Sequence, residues 1–420
     1  MPESKTAASS PRATLTAAQW WAIALCALAV FLDGYDAQML AMAIPLLAKE
    51  YHVVPTAYAL AASASLAGMA LGAMGLSPLA DRLGRRPLLI VSLLTFGAAT
   101  LAGMHSGGPA TMTLWRAVAG CGLGATVPIT IAITADIAPA ARRVALVTMM
   151  ASGFAIGAAS AGQIAPFLTA AWGWRGLFGY GGLMPLLLAV LCFGGIPASR
   201  PAAREPSAAA PAAARVAMLF TAEYRYRSVL LWCLNAINLF ANYGLASWLP
   251  TLLVQNGWTL ASASRVTSLL AIGGVSGSYL ISTLVDRGRT MPALAGGYAI
   301  AAVTLAVCAT NPSSTGVWVV LMVLIGFGAI GTMLTLGPLA STYYPASARS
   351  TGVGWANGIG RAGSFFGPLA LAWLMRQALT PTQVLGALMV PMALCVVCAV
   401  LLPFALRRSS TDLAAAVATR

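Results

Sequence analysis

The 420-residue sequence predicts an all-α integral membrane protein with twelve transmembrane helices in two pseudo-symmetric six-helix bundles. Three observations carry this prediction. Apolar residues make up 59% of the chain and charged residues only 8%, which exceeds what a soluble core of this length uses. Twelve apolar windows are each long enough to cross about 30 Å of hydrocarbon. Landmarks in the first half also return in the second at a nearly constant offset, as expected of a duplicated unit.

The windows fall at 20–48, 57–80, 87–106, 110–135, 144–170 and 176–197, then at 228–254, 264–285, 291–310, 315–340, 350–375 and 381–406. Between the sixth and seventh lies "ASRPAAREPSAAAPAAARVAMLFTAEYRYR", rich in Ala, Pro and Arg, which reads as a linker. The expected domains are therefore a bundle over 1–197, a cytoplasmic linker over 198–227 and a second bundle over 228–420. The N-terminal "MPESKTAASSPRATLTAAQ" is polar and has no signal-peptide pattern. The first apolar stretch is too long for a signal sequence and reads as a retained span.

Charge distribution fixes the expected topology. With both termini cytoplasmic, 18 of the 24 Lys and Arg residues fall inside, against four outside: Lys49, Arg175, Arg265 and Arg376. The last two, Arg116 and Arg361, fall within spans. The net charge of +14 is thus accounted for by membrane orientation and implies no nucleic-acid partner. All seven cysteines lie in apolar stretches and read as small hydrophobes, including the C-x-x-C of Cys395 and Cys398. No metal or cofactor set is evident.

The internal repeat rests on three landmarks. "DRLGRR" at Asp81 returns, one residue shorter, as "DRGR" at Asp286, 205 residues on. Gly120 and Gly122 answer to Gly326 and Gly328, and Pro139 and Arg143 to Pro345 and Arg349, each 206 residues on.

"SPLADRLGRR" resembles the loop between spans 2 and 3 of major facilitator superfamily transporters, with Ser77 where a glycine is expected. "RAVAGCGLG" from Arg116 resembles that superfamily's span-4 motif, whose small residues let helices approach closely. Within the superfamily, "DGYD" in span 1, "RAVAGCGLGATVP" and "ARSTGVGWANGIGRAGSFFGP" make the chain similar to the aromatic acid:proton symporters. The resemblance implies the major facilitator fold, a bacterial inner-membrane location, a monomer, and import of benzoate-like carboxylates with protons.

Of ten acidic residues, only Asp33 and Asp36 are expected in mid-membrane, three residues apart on one side of span 1. Charged side chains at that depth cost several kcal/mol unless they face a cavity or a partner, so they mark a pathway. A proton on one of the pair relieves both the buried charge and the repulsion from its neighbour, so the pair is the expected proton-coupling site. Arg116 and Arg361 are the only in-span bases, one in each half. With two charges of each sign the empty core is neutral; an anion unbalances it by one and a proton restores it. Arg116 suits bidentate contact with a substrate carboxylate or a span-1 aspartate, and Arg361 is its counterpart.

Flat walls and polar contacts for an aromatic acid are expected from Tyr35, Asn242, Tyr243, Trp355 and Asn357. Cytoplasmic gating falls to Asp81, Arg82, Arg85 and Arg86, with Asp136, Arg142 and Arg143, and to Asp286, Arg287 and Arg349 in the second half. A drug exporter on the same fold is the main alternative. In "GFAIGAASAG", however, Ala158 and Ala161 stand where the exporter motif has proline and glycine. Another organic anion is the alternative within import. An enzyme is not expected: there is no nucleophile–base pair, and His52 and His105 lie on different external loops.

Overall fold

The computed structural model describes residues 15–139, 142–197, 217–221, 224–344 and 349–402, without the side chains of Ser77, Pro78, Asp81, Arg82, Val144, 337–338, 340–342, 349–351 and Val353. In a bilayer every backbone polar group must be satisfied within its own segment, so apolar runs of this length form helices. The helices are α1 (Ala17–Glu50), α2 (Ala59–Leu83), α3 (Arg85–Gly103), α4 (Pro109–Ile137), α5 (Arg143–Ala151) and α6 (Gly153–Gly195) in the first half. The second half holds α7 (Arg225–Gln255), α8 (Leu260–Asp286), α9 (Thr290–Ala309), α10 (Thr315–Ile325), α11 (Gly331–Thr342), α12 (Arg349–Leu374) and α13 (Pro381–Ala387). Helix resumes at 389 and runs to 402.

Among the described residues, ten segments are long and apolar enough to cross a membrane. One of them, Ala145–Gly195, holds two spans, because Gly173 at φ 60° and ψ −158° breaks the helix between the fifth and sixth. The glycine-rich α12, with 26 residues, completes the twelve. The tenth span is not one regular helix as its window suggests: α10 and α11 are joined by a π-helical turn at Gly326–Ile330. Helix starts follow local chemistry. Thr16 and Gln19 form a reciprocal capping box before α1, and Thr380 and Gln383 do the same before α13.

The duplicated glycines have duplicated jobs. A Cβ on Gly120 would lie 2.2 Å from the Ser65 carbonyl oxygen of α2, and one on Gly122 would lie 2.6 Å from the Ser92 oxygen of α3. In the second half, a Cβ on Gly326 would lie 2.1 Å from the Leu270 oxygen of α8, and one on Gly328 would lie 2.3 Å from the Gly297 oxygen of α9. Each pair thus brings the fourth span of its half against the second and third, backbone to backbone.

Among the described residues, the side-chain hydrogen bonds between the halves lie on one side. The described chain begins and ends at one membrane face, here the terminal face. Three side-chain hydrogen bonds cross between the halves among the described residues: Ser63 Oγ to the Phe365 carbonyl (2.7 Å), Gln163 Nε2 to Ser268 Oγ (2.7 Å) and Arg376 Nε to Thr56 Oγ1 (3.3 Å). All three lie towards the opposite, far face. Gly162 packs against the Ser264 backbone at the same level. The second core cluster, by contrast, is built from first-half residues alone.

Candidate functional site: the cavity between the halves

A cavity of about 530 Å³ runs from mid-membrane towards the terminal face. Its deep wall comes from α1, α2 and α4 (Asp33, Asp36, Ser65, Arg116). Its opposite wall comes from α7 (Asn242, Tyr243, Ser247) and α8 (Thr267, Ser268). Towards the terminal face it is bounded by Thr148 and Ser152 on one half and by Ser278 and Ser282 on the other.

The centre of the site is a buried ion pair. Arg116 Nη1 donates to Asp36 Oδ1 at 2.7 Å and Nη2 to Oδ2 at 2.6 Å. Nη2 also donates to Ser65 Oγ at 2.9 Å. Asp36 is 1% exposed and Arg116 3%, so both charges have left water and each depends on the other. Removing one partner of such a pair typically costs about 3–5 kcal/mol. Two residues before Asp36, Gly34 packs α1 against α6: a Cβ there would sit 2.0 Å from the Phe154 carbonyl oxygen of α6.

Asp33 differs. It lines the same cavity and is 3% exposed, yet it makes no hydrogen bond or ion pair among the described residues. Its charged neighbours are Asp36 on its own helix and Arg361 on α12, whose charge reaches it across the interface. Arg361 likewise makes no ion pair among the described residues, and it does not line this cavity.

The cavity therefore gathers Asp33, Asp36, Arg116, Asn242 and Tyr243. Asn242 Nδ2 donates to the Asn238 carbonyl at 3.1 Å and to the Ala329 carbonyl of the π turn at 3.2 Å, while its Oδ1 has no partner. Tyr35 is not at this wall. One residue from Asp36, it projects from the other side of α1, is fully buried, donates to the Leu177 carbonyl at 3.2 Å and packs edge-on to Tyr180. Trp355 and Asn357 also lie away from it. Trp355 stacks on Trp232 at 5.5 Å with Phe220 against both rings, and Asn357 is exposed. Ser65 and Ser247 escaped the sequence reading, since a serine in an apolar span carries little signal; Ser247 lies four residues from Tyr243, on the same face of α7.

At the terminal face, Arg85 pairs with Asp136 and donates to the Ala132 carbonyl at 3.0 Å, tying α3 to α4. Arg86 lies over the Phe193 ring, 5.1 Å from its centre. Arg142, Arg143, Asp286 and Arg287 are exposed. The side chains of Asp81, Arg82 and Arg349 lie outside the described residues, as do 198–216 of the linker.

Twelve spans around a charged cavity that is closed at one end and lies between two related halves define a membrane carrier rather than an enzyme. The chain belongs to the Major Facilitator Superfamily, whose model matches residues 26–368. It is 32% identical to the "4-hydroxybenzoate transporter PcaK" of Acinetobacter baylyi, over 91% of this chain and 90% of that one. It is 30% identical to a "Gallate transporter" of Pseudomonas putida, over 84% and 85%. In fold it matches a bacterial homologue of the human lysosomal transporter Spinster with a TM-score of 0.73, at 16% identity over 95% and 97% of the two chains.

Proposed function

We propose that the protein is a secondary active transporter that imports an aromatic carboxylate together with protons by alternating access. It works as a monomer in a bacterial inner membrane with both termini cytoplasmic. The orientation follows from the excess of Lys and Arg on the terminal face. In that orientation the cavity faces the cytoplasm. The relatives' aromatic acid substrates supply the substrate class.

The observation that carries the coupling is the inequality of the two aspartates. Asp36 is committed to Arg116, and the two cancel. Asp33 is the free carboxylate of the cavity and takes the proton. Once it is neutral, Asp36 alone stands against the in-span charges of Arg116 and Arg361, and the substrate carboxylate restores the balance from the charged wall of the first half as the halves close. Proton binding thus precedes anion binding. Arg85 with Asp136, and the basic residues of both repeated loops, close the cytoplasmic side in the alternate state.

The test is uptake of labelled 4-hydroxybenzoate into proteoliposomes at pH 7.5 under an inward proton gradient, beside protein-free liposomes. At that pH only about 0.1% of a carboxylic acid with an ordinary side-chain-like pKa is uncharged, so passive leak is small. Accumulation driven by the gradient and lost in Asp33→Asn supports the assignment. No uptake above protein-free liposomes, with the protein shown to be folded, overturns it.

A further inference from the structure

The cavity is chemically divided. Every ionisable side chain on its described wall, Tyr243 apart, comes from the first half: Asp33, Asp36 and Arg116. The wall supplied by α7 and α8 is neutral and hydrogen-bonding. Most of its polar groups are already engaged within the protein. Thr267 Oγ1 donates to the Ala263 carbonyl, Ser268 Oγ to the Arg265 carbonyl, and Asn242 Nδ2 to two backbone carbonyls.

Two groups are not engaged. The Tyr243 and Ser247 hydroxyls make no hydrogen bond among the described residues, both side chains are half-buried, and both line the cavity. They lie four residues apart on α7, one above the other on a single face. Asn242 adjoins them with an unpaired carbonyl oxygen, its orientation set because only its NH₂ can donate to the carbonyls of Asn238 and Ala329.

We propose that Tyr243 and Ser247 form a subsite that reads a ring hydroxyl, so that the substrate is a hydroxylated aromatic acid lying across the cavity with its carboxylate towards the charged residues of the first half and its hydroxyl towards α7. This rests on the transport function proposed above. A hydroxyl can both donate and accept, so a phenol bridges two such groups where an unsubstituted ring leaves them unpaired. A site built to bond a substrate hydroxyl discriminates strongly against the analogue lacking it. The same geometry makes the bound acid a strut between the halves, in contact with both.

The test measures dissociation constants of benzoate, 4-methylbenzoate, 3-hydroxybenzoate and 4-hydroxybenzoate for the full-length protein in detergent, by calorimetry. The variants are Tyr243→Phe, Ser247→Ala and the double substitution, each checked for an unchanged elution profile and melting temperature. The wild type is expected to prefer a hydroxylated acid to 4-methylbenzoate, which matches it in bulk. Each hydroxyl removed should shrink that preference roughly two- to tenfold, the range for a neutral hydrogen bond. An unchanged ratio, or equal weakening of all four acids, overturns the subsite while leaving the transport function standing. A wild type that binds none of the four overturns the proposed function and the subsite with it.

Discussion

Arg116 grips Asp36 with both terminal nitrogens, at 2.7 and 2.6 Å, and so makes two aspartates of one motif chemically unlike. Asp36 becomes half of a neutral, buried unit. Asp33, one helical turn nearer the terminal face, lies on the cavity wall with no ion pair among the described residues.

Asp33→Asn mimics the protonated form and leaves the ion pair intact. The variant is expected to fold normally and to exchange substrate across the membrane in counterflow, yet to accumulate none against a gradient. Asp36→Asn and Arg116→Ala each strand a buried charge and should lower stability by about 3–5 kcal/mol, with loss of both activities. Thermal melts of the three variants, read with counterflow and gradient-driven uptake, separate the two roles. Equal destabilisation by Asp33→Asn would contradict the division.

Gly34 separates the two aspartates because no side chain fits between α1 and α6 there, with a Cβ only 2.0 Å from the Phe154 carbonyl oxygen. Gly34→Ala should push the helices apart at an overpacking cost of about 1–3 kcal/mol. It should also displace Asp33 and Asp36 from the cavity. A lowered melting temperature together with lost uptake is the expected result, whereas Gly75→Ala, at a position with open space, should be silent in both measurements.

The far face is latched by Gln163 on Ser268 and Ser63 on the Phe365 carbonyl. Gln163→Ala with Ser63→Ala removes both bonds at about 0.5–1.5 kcal/mol each. If these bonds favour the state open to the terminal face, the pair of substitutions shifts population towards the opposite opening. Spin labels at the exposed positions Val54 and Leu379, in a background lacking the seven native cysteines, should report a longer distance component that grows in the double variant.

Glu50 accepts from Trp174 Nε1 at 2.6 Å and pairs with Arg175 at 2.8 Å, with side chains 39% and 44% exposed in the ion pair. Water screens that pair, and it lies within one half. Glu50→Gln is therefore expected to cost no more than about 1 kcal/mol and to leave uptake unchanged. A large loss of transport would show that this cluster takes part in closing the far face.

Much of this architecture was legible without coordinates. Apolar run lengths fix the spans because a bilayer leaves unpaired backbone no solvent. The excess of Lys and Arg on alternate loops indicates which face they share. The 206-residue offset of Gly120 and Gly122 to Gly326 and Gly328 foretold two bundles with the same internal contacts, since a glycine that lets backbones touch must recur where the contact recurs. The two aspartates and two arginines within spans stood out because charge in hydrocarbon is costly and needs a reason.

Partnership was not legible. Spacing places Asp33 and Asp36 on one side of α1, but which of them meets Arg116 depends on how α4 and α2 are rotated against α1, a matter of packing between distant segments. The same holds for Tyr35, directed to Leu177 instead of the cavity, and for Trp355, stacked on Trp232. Ser247 was invisible as a single serine, and acquired meaning only when the fold left its hydroxyl unpaired beside that of Tyr243. Sequence by itself determined the class of protein, its spans and its membrane charges, because those follow from the solvent acting on each segment alone. Tertiary structure decided which charges cancel, which hydroxyls remain free and to which face the cavity opens, because those depend on contacts between segments far apart in the chain.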